Sequence, residues 1–308
     1  VSAAVTLEDA RAALRNSLLS SGILVDLGSP GLYGRGGTFE RVYQAVDQAT
    51  LRAMRFLEPE TLRFPPVETL ATFEGTDYIA SFPDLAASIS AFTGSDRDHR
   101  QLLTARAAGE RWESFLAPAD LMLTPAVCHP LYPLLTGTLP EGGRTFEILG
   151  DSFRHEPSLD PMRLQAFHQH DYVHVGTAEA ARAHRDGLIP IMVDLLESFG
   201  LEIDVVPAND PFFGRVGQML AQNQIDEALK FEFVTPVYGD DHAATAISSA
   251  NLHEDHFGTS FDIRTADGEV AHSSCIGFGA ERIVIAMFAA HGVDVGTWPR
   301  AVREGLGL

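Results

Sequence analysis

The sequence predicts an α+β fold: one mainly antiparallel sheet flanked by helices. Two observations carry that expectation. Extended segments at residues 231–237, 244–249, 261–263 and 270–276 follow one another too closely for long crossover helices, so neighbouring strands must reverse direction. Helical periodicity is confined to residues 6–20, 39–57, 97–115, 178–200, 218–230 and 280–290, which can cover such a sheet. No repeat or linker divides the chain, so residues 1–308 read as a single domain, with 1–60 as an N-terminal α/β portion packed on it.

Each element has a local cause. Residues 6–20 place leucines and alanines at helical spacing and stop at Ser20–Ser21–Gly22. Residues 23–27 form a short strand before the turn Gly28–Ser29–Pro30–Gly31. Thr38 is the expected N-cap of the next helix, which should end before Pro59. Pro65–Pro66 forces extended backbone towards Val67. Short apolar pieces over 78–92 close at Gly94, and 97–115 reads as one polar-faced helix. Proline and glycine over 121–151 favour strands and turns. Residues 167–175 are extended, 178–200 helical with an interruption at Ile189–Pro190, and 201–206 extended. The last strand passes through Gly277–Phe278–Gly279 into a helix.

Composition limits the function. The formal charge is −20, from 42 acidic and 22 basic residues, which opposes phosphate backbones and argues against tRNA or DNA as a main partner. Two cysteines make no disulfide framework. No apolar run is long enough to span a bilayer, and a cytoplasmic protein is expected, with no membrane partner.

Four constellations could carry chemistry. Cys128, Cys275 and the run His168–Gln169–His170–Asp171 contain enough thiolate, imidazole and carboxylate for zinc, although lone cysteines also serve as small core hydrophobes. His253 and His256 should project to opposite faces of an extended segment, as structural or surface histidines. Arg154–His155–Glu156, with Arg163 and Phe167 downstream, offers a guanidinium for a phosphate and an aromatic for a base. Gly277–Phe278–Gly279–Ala280–Glu281–Arg282 puts an arginine into an apolar helix, where it needs a partner.

The third and fourth runs resemble motifs 2 and 3 of class II aminoacyl-tRNA synthetases. The whole set is more similar to the amino acid:carrier protein ligases, relatives of the atypical, archaeal-type seryl-tRNA synthetases. Phe153–Arg154–His155–Glu156–Pro157–Ser158, Asp160–Pro161–Met162–Arg163, Ala208–Asn209–Asp210–Pro211–Phe212–Phe213–Gly214–Arg215, Leu229–Lys230–Phe231–Glu232, His253–Glu254–Asp255–His256–Phe257–Gly258 and Ala271–His272–Ser273–Ser274–Cys275 carry that resemblance. It implies a class II synthetase-like catalytic domain without a tRNA-binding domain, working as a homodimer. The implied reaction makes an aminoacyl adenylate from a small amino acid and ATP with Mg²⁺, then passes the aminoacyl group to the phosphopantetheine thiol of a carrier protein. Arg154 and Arg282 are then the implied catalytic arginines, and Glu156, Arg163 and Phe167 complete the ATP site. Cys128, Asp171 and Cys275 are the implied ligands of one Zn²⁺, and Asp210, Ala250 and Asn251 the amino acid contacts. A catalytically altered paralogue acting on another acceptor or as a binding subunit, or a zinc hydrolase, are the competing readings.

Two departures from the family pattern bear on specificity. His168–Gln169–His170–Asp171 stands where relatives usually carry Arg-Met-Arg-Glu, and Ala250 and Leu252 stand where they carry Phe and Tyr. The shorter Asp171 should require help from His170 or a closer backbone. The smaller side chains should enlarge the amino acid pocket beyond what a methyl group needs. Docking of an acidic carrier would then rest on a local arginine patch or an apolar groove.

Overall fold

A computed structural model describes residues 5–211, 213, 224–225 and 227–308. Helix α1 (Leu7–Ser20) starts where the Thr6 side chain accepts a hydrogen bond from the Asp9 backbone N–H. The hairpin β1 (Leu24–Ser29) and β2 (Leu32–Arg35) follows, then α2 (Gly37–Met54). Gly36, not Thr38, caps α2. A Cβ at Gly36 would lie 1.9 Å from the Gly22 carbonyl oxygen, so the chain can pass this point only as glycine.

The main sheet has seven strands. They are β3 (Glu60–Leu62), β8 (Arg144–Phe153), β9 (Ala166–Gly176), β10 (Asp204–Pro207), β11 (Lys230–Thr235), β12 (Thr245–Glu254) and β14 (His272–Gly279). Their order is β10-β11-β12-β14-β9-β8-β3, antiparallel throughout except for the edge pair β3–β8. A smaller antiparallel sheet of β4 (Val67–Thr69), β5 (Ser88–Ala91) and β6 (Ala117–Leu123) stands nearby, with α3 (Leu70–Gly75) and α4 (Tyr78–Ser81). A parallel pair, β7 (Gly137–Thr138) with β13 (Ile263–Arg264), completes the strands.

Strand periodicity divides the main sheet into two faces. Tyr172, Ile276 and Phe278 belong to the large core shared with α2, α6 (Ala178–Ser198), α8 (Ala280–His291) and α9 (Arg300–Leu306). Val173, Val175 and Cys275 face the other way, into a second core with Leu131, Tyr132 and Phe257, the last from α7 (His256–Ser260). Residues of the N-terminal segment, such as Leu18, Ile23 and Phe39, lie in the large core with the sheet.

Three expected elements differ. The helix expected over 97–115 splits into α5 (Asp96–Ala107) and a short 3-10 turn at Trp112–Phe115, because Gly109 at φ 74° turns the chain. Helix α6 runs unbroken through Pro190. Its buried Leu188, Met192, Leu195 and Leu196 hold it against the sheet at the cost of one backbone hydrogen bond. The helix expected over 218–230 falls mostly outside the described residues, and Lys230 opens β11 instead. Among the described residues, no helix is long and apolar enough to cross a membrane.

Two histidines link α6 to the sheet. His174 and His184 stack with ring centroids 5.6 Å apart, and their Nδ1 atoms lie 2.9 Å from Thr145 Oγ1 and Ser274 Oγ respectively. Burial holds both below the ordinary imidazole value, His184 at about 3, with the neighbouring imidazole adding to its shift. The unfolded chain takes up a proton near pH ~6.5 while the folded chain resists it. This contribution to stability is therefore present above that pH and is lost as pH falls towards the folded value. In urea unfolding, the stability gap between the native protein and His184→Asn should narrow from pH 7 to pH 4. A gap independent of pH would contradict this reading.

Candidate active site and metal centre

The second face of the sheet opens into a cavity of about 600 Å³. From β9 come Phe167, Gln169 and Asp171; from β14, Cys275, Gly277 and Gly279; from β12, Ser249, Asn251 and His253. On β9 and β14 these are alternate residues, so one face of each strand supplies the lining, whereas β12 also contributes Ser248 and Leu252. Cys128 and His129 enter from the turn preceding the 3-10 segment His129–Leu135, and Arg154 from the loop between β8 and β9. Asp210 and Lys230 close one side, and Glu281 and Arg282 enter from the first turn of α8.

Cys128, Asp171 and Cys275 are buried, and one ligand atom from each lies within 4.8 Å of the others. Two cysteines distant in sequence therefore meet at one carboxylate. Register explains it: on β14, Gly277 stands opposite Asp171 and Cys275 opposite Val173. A Cβ at position 277 would lie 3.1 Å from Asp171 Oδ1, so glycine leaves room for the carboxylate. Asp171 Oδ1 is buried without a hydrogen-bond partner. Burial pushes the Asp171 carboxyl up to about 6, against the lowering influence of Cys275 and His170. The bonded Cys128 thiol, then burial, raise Cys275, and burial followed by the two cysteines raises Tyr132. Asp171, Cys275 and Tyr132, held together in a buried site, resist losing their protons, and a cation beside Asp171 and Cys275 would reverse their resistance. Two sulfurs and one carboxylate oxygen are a donor set suited to a thiophilic metal with a coordination position left open.

His170 is not part of this centre. Strand alternation turns it to the helix-covered face, 2.9 Å from Asp47 of α2 and 2.7 Å from Glu147 of β8. Burial opposes its charge, but the two carboxylates outweigh burial and raise its pKa. His168 is on that face as well, 2.8 Å from Glu281 and beside Arg35. Ala250, expected at the amino acid, is fully buried in the large core and absent from the cavity lining. Leu252 does line the cavity. Of the six departing positions, His168, His170 and Ala250 thus lie away from the lining, while Gln169, Asp171 and Leu252 belong to it. Of the two shortened side chains expected to enlarge the pocket, Leu252 alone lines it.

The expected nucleotide residues take distinct places. Arg154 donates through Nε to the Pro125 carbonyl at 3.1 Å, and its guanidinium carbon lies 5.4 Å from the Phe167 ring centre. Arg282 is half-buried, and desolvation lowers its pKa; its Nε and Nη1 donate to the carbonyls of Met162 and Ala246. Its partners are therefore backbone dipoles, while Glu281 makes the ion pair, with Arg35 at 2.7 Å. Glu156 and Arg163 pair at 3.2 Å on the loop, outside the cavity lining. Asn251 donates to Ser249 Oγ at 3.0 Å.

The sequence did not show how two groups are arranged, the Asp210 carboxylate with its partners and the pair His253 and His256. Lys230 Nζ lies 2.5 Å from Asp210 Oδ1, and Gln224 donates to the other oxygen of that carboxylate at 2.8 Å. Burial opposes the Asp210 charge, yet Lys230 and Gln224 outweigh it and hold the carboxyl below its ordinary value. A buried lysine at the start of a strand was the available signal. His253 and His256 both line the cavity, contrary to the opposite faces expected of them. The strand ends at Glu254, whose φ of 53° turns the chain into α7. His253 Nδ1 lies 3.1 Å from Ser273 Oγ, and burial, then His256, lower its pKa to about 3.

Known proteins place this geometry. No protein-family model matches the chain. It is 40% identical to amino acid:acyl-carrier-protein ligase 2 of Bradyrhizobium diazoefficiens, over 94% of this chain and 87% of that relative. The chain belongs to the amino acid:acyl-carrier-protein ligase family. Ligase 1 of the same organism is 39% identical over 94% of the chain and 89% of the relative. A type-2 serine–tRNA ligase of Methanopyrus kandleri is 27% identical over 66% of this chain but only 40% of its own length. Among solved structures, M. kandleri seryl-tRNA synthetase in complex with a tRNA superposes with a TM-score of 0.82 at 21% identity, covering 95% of this chain and 60% of that one. That likeness shows the fold, the class II aminoacyl-tRNA synthetase catalytic domain.

The triad of this ligase-family chain should bind one cobalt(II) ion per chain with a thiolate charge-transfer absorption. Cys275→Ser should remove that absorption, with folding checked by circular dichroism. An unchanged spectrum in the folded variant would take Cys275 out of the metal centre.

Proposed function

We propose that this protein activates a small amino acid with ATP and transfers it to the phosphopantetheine thiol of a carrier protein. One observation carries the reading. In a chain of this ligase family, the Cys128–Asp171–Cys275 triad and the arginines Arg154 and Arg282 line a single cavity.

Cys128, Asp171 and Cys275 would hold Zn²⁺, which in its open position would act as a Lewis acid towards the α-amino group. Asn251 and the Asp210–Lys230 pair bound the rest of the amino acid site. ATP, with its Mg²⁺, lies towards Arg154, Phe167 and Arg282. Phe167 offers an aromatic face to adenine, and Glu156 and Arg163 on the loop serve the nucleotide's edge and phosphates. The amino acid carboxylate attacks the α-phosphorus; an oxygen–phosphorus bond forms as the bond to the β-phosphate oxygen breaks and pyrophosphate leaves. Arg154, pre-oriented through Pro125, stabilises charge developing on the phosphoryl oxygens. The carrier thiol then attacks the acyl carbon, the thioester forms, and AMP leaves with its phosphate charge still facing arginine.

Glycine or alanine is the proposed substrate, because of the two shortened side chains Ala250 lies in the core and only Leu252 lines the cavity. A site of this kind separates neighbouring side chains by only about 1–3 kcal/mol per methylene, so partial overlap is expected. The acceptor is a carrier thiol rather than tRNA, which the charge of −20 disfavours. The working unit is a homodimer.

ATP–pyrophosphate exchange across the amino acids tests the activation. Exchange should peak with glycine or alanine, and Arg154→Ala should slow it by roughly 10²-fold, as loss of a preorganised donor does. Mass spectrometry should then find the aminoacyl group on a holo carrier. Exchange unaffected by Arg154→Ala, or aminoacylation of tRNA but not of the carrier, would contradict the reading.

A further inference from the structure

The loop between β8 and β9, residues 154–165, holds the proposed nucleotide contacts, but its centre is anchored from outside the cavity. Asp160 is only 6% exposed. Its Oδ1 accepts a hydrogen bond from the Met162 backbone N–H at 2.9 Å and another from the Tyr238 hydroxyl. Its Oδ2 pairs with Arg11 Nε of α1 at 2.8 Å. The Met162 carbonyl in turn accepts the bond from Arg282 Nε at 2.8 Å. The end of the loop is tied to the β1–β2 turn, where Gln165 donates to the Gly31 and Pro30 carbonyls at 2.8 and 2.7 Å.

We propose that Asp160 is a positioning residue for the nucleotide site, locked by Arg11 of the N-terminal helix and acting on Arg282 through the Met162 carbonyl. This rests on the reading of Arg154 and Arg282 as nucleotide ligands. The physical case is one of constraint. An arginine side chain has several free torsions, and a fixed acceptor at Nε removes most of that freedom. The Met162 carbonyl is such an acceptor only while its peptide is fixed, and the Met162 N–H is fixed by Asp160. Exposed loops do not hold such a geometry unaided, whereas a buried carboxylate with charge-assisted bonds to three elements does. The N-terminal helix thereby acts on ATP without touching the cavity.

The chain of contacts predicts a selective kinetic effect. Asp160→Asn keeps the side-chain volume and an acceptor for Met162 but turns an amide towards Arg11. It should raise KM for ATP by roughly 10-fold in pyrophosphate exchange, the scale expected from a small displacement of a catalytic group. KM for the amino acid and the bound metal should stay as in the native protein. Arg11→Ala should shift KM for ATP in the same direction, and Arg11→Lys should restore part of it. Since Arg11 is 39% exposed on its side chain, that series decides the matter alone if Asp160→Asn fails to fold. A lower melting temperature with both KM values unchanged would overturn the proposal, as would equal rises in both. The Arg154→Ala variant in the same assay separates the premises. If it exchanges normally, the nucleotide reading fails; if it is impaired while the Arg11 series is flat, only the positioning role fails.

Discussion

The pairing of β9 with β14 determines which side chains can meet in the cavity. Asp171 stands opposite Gly277, and Cys275 stands opposite Val173. A slip of β9 by one residue would turn Asp171 into the large core and bring His170 to the cavity, and the same slip of β14 would exchange Cys275 for Ile276. Packing enforces the register on both sides at once, since Tyr172, Ile276 and Phe278 fill one core while Val173, Val175 and Cys275 fill the other. The metal-capable triad is thus a consequence of sheet register, and the third ligand, Cys128, needs only one well-packed turn to reach it.

The two faces of β9 meet opposite electrostatic needs. On the cavity face the buried acids lack counter-charge, and Asp171 is raised to about 6, chiefly by burial. On the helix face each charge is answered. Burial works against Glu147, but His170 and Arg63 outweigh it and bring the carboxyl down to about 2. Asp47 and Glu281 answer His170 and His168 in the same way. Paired charges on one side of the strand and an unanswered acid on the other mark the second side as the one able to take a cation. His168 and His170 belong to the structural side, each held by carboxylates.

Much of this was legible in the sequence. Closely spaced extended segments imply antiparallel pairing, and the motifs around Arg154, Arg282 and the cysteines identify the cavity residues. What local pattern could not settle was facing. His170 adjoins Asp171 in sequence, and only the strand period, once β9 is known to be a strand, places them on opposite sides. Ala250 and Leu252 share a parity, yet Ala250 is in the large core while Leu252 reaches the cavity, near where the β12–β14 register shifts at the strand's end. Pro190 reads as a helix breaker because propensity is local, while the packing of Leu188 and Met192 that overrides it is not. Asp160, Asp210 and Lys230 stand in family-like runs, but no local pattern says that Asp160 pairs with Arg11 or Asp210 with Lys230.

The central claim is that the triad and the arginines serve one ligand. A non-hydrolysable aminoacyl-adenylate analogue, which reaches both, tests it in a calorimetric comparison with AMP. Native protein should bind the analogue at least about 10²-fold more tightly than AMP, as enzymes do with mimics of reactive species. Cys275→Ser should lose most of that advantage while still binding AMP. Equal affinities for the two ligands, or an advantage untouched by Cys275→Ser, would contradict a single composite site.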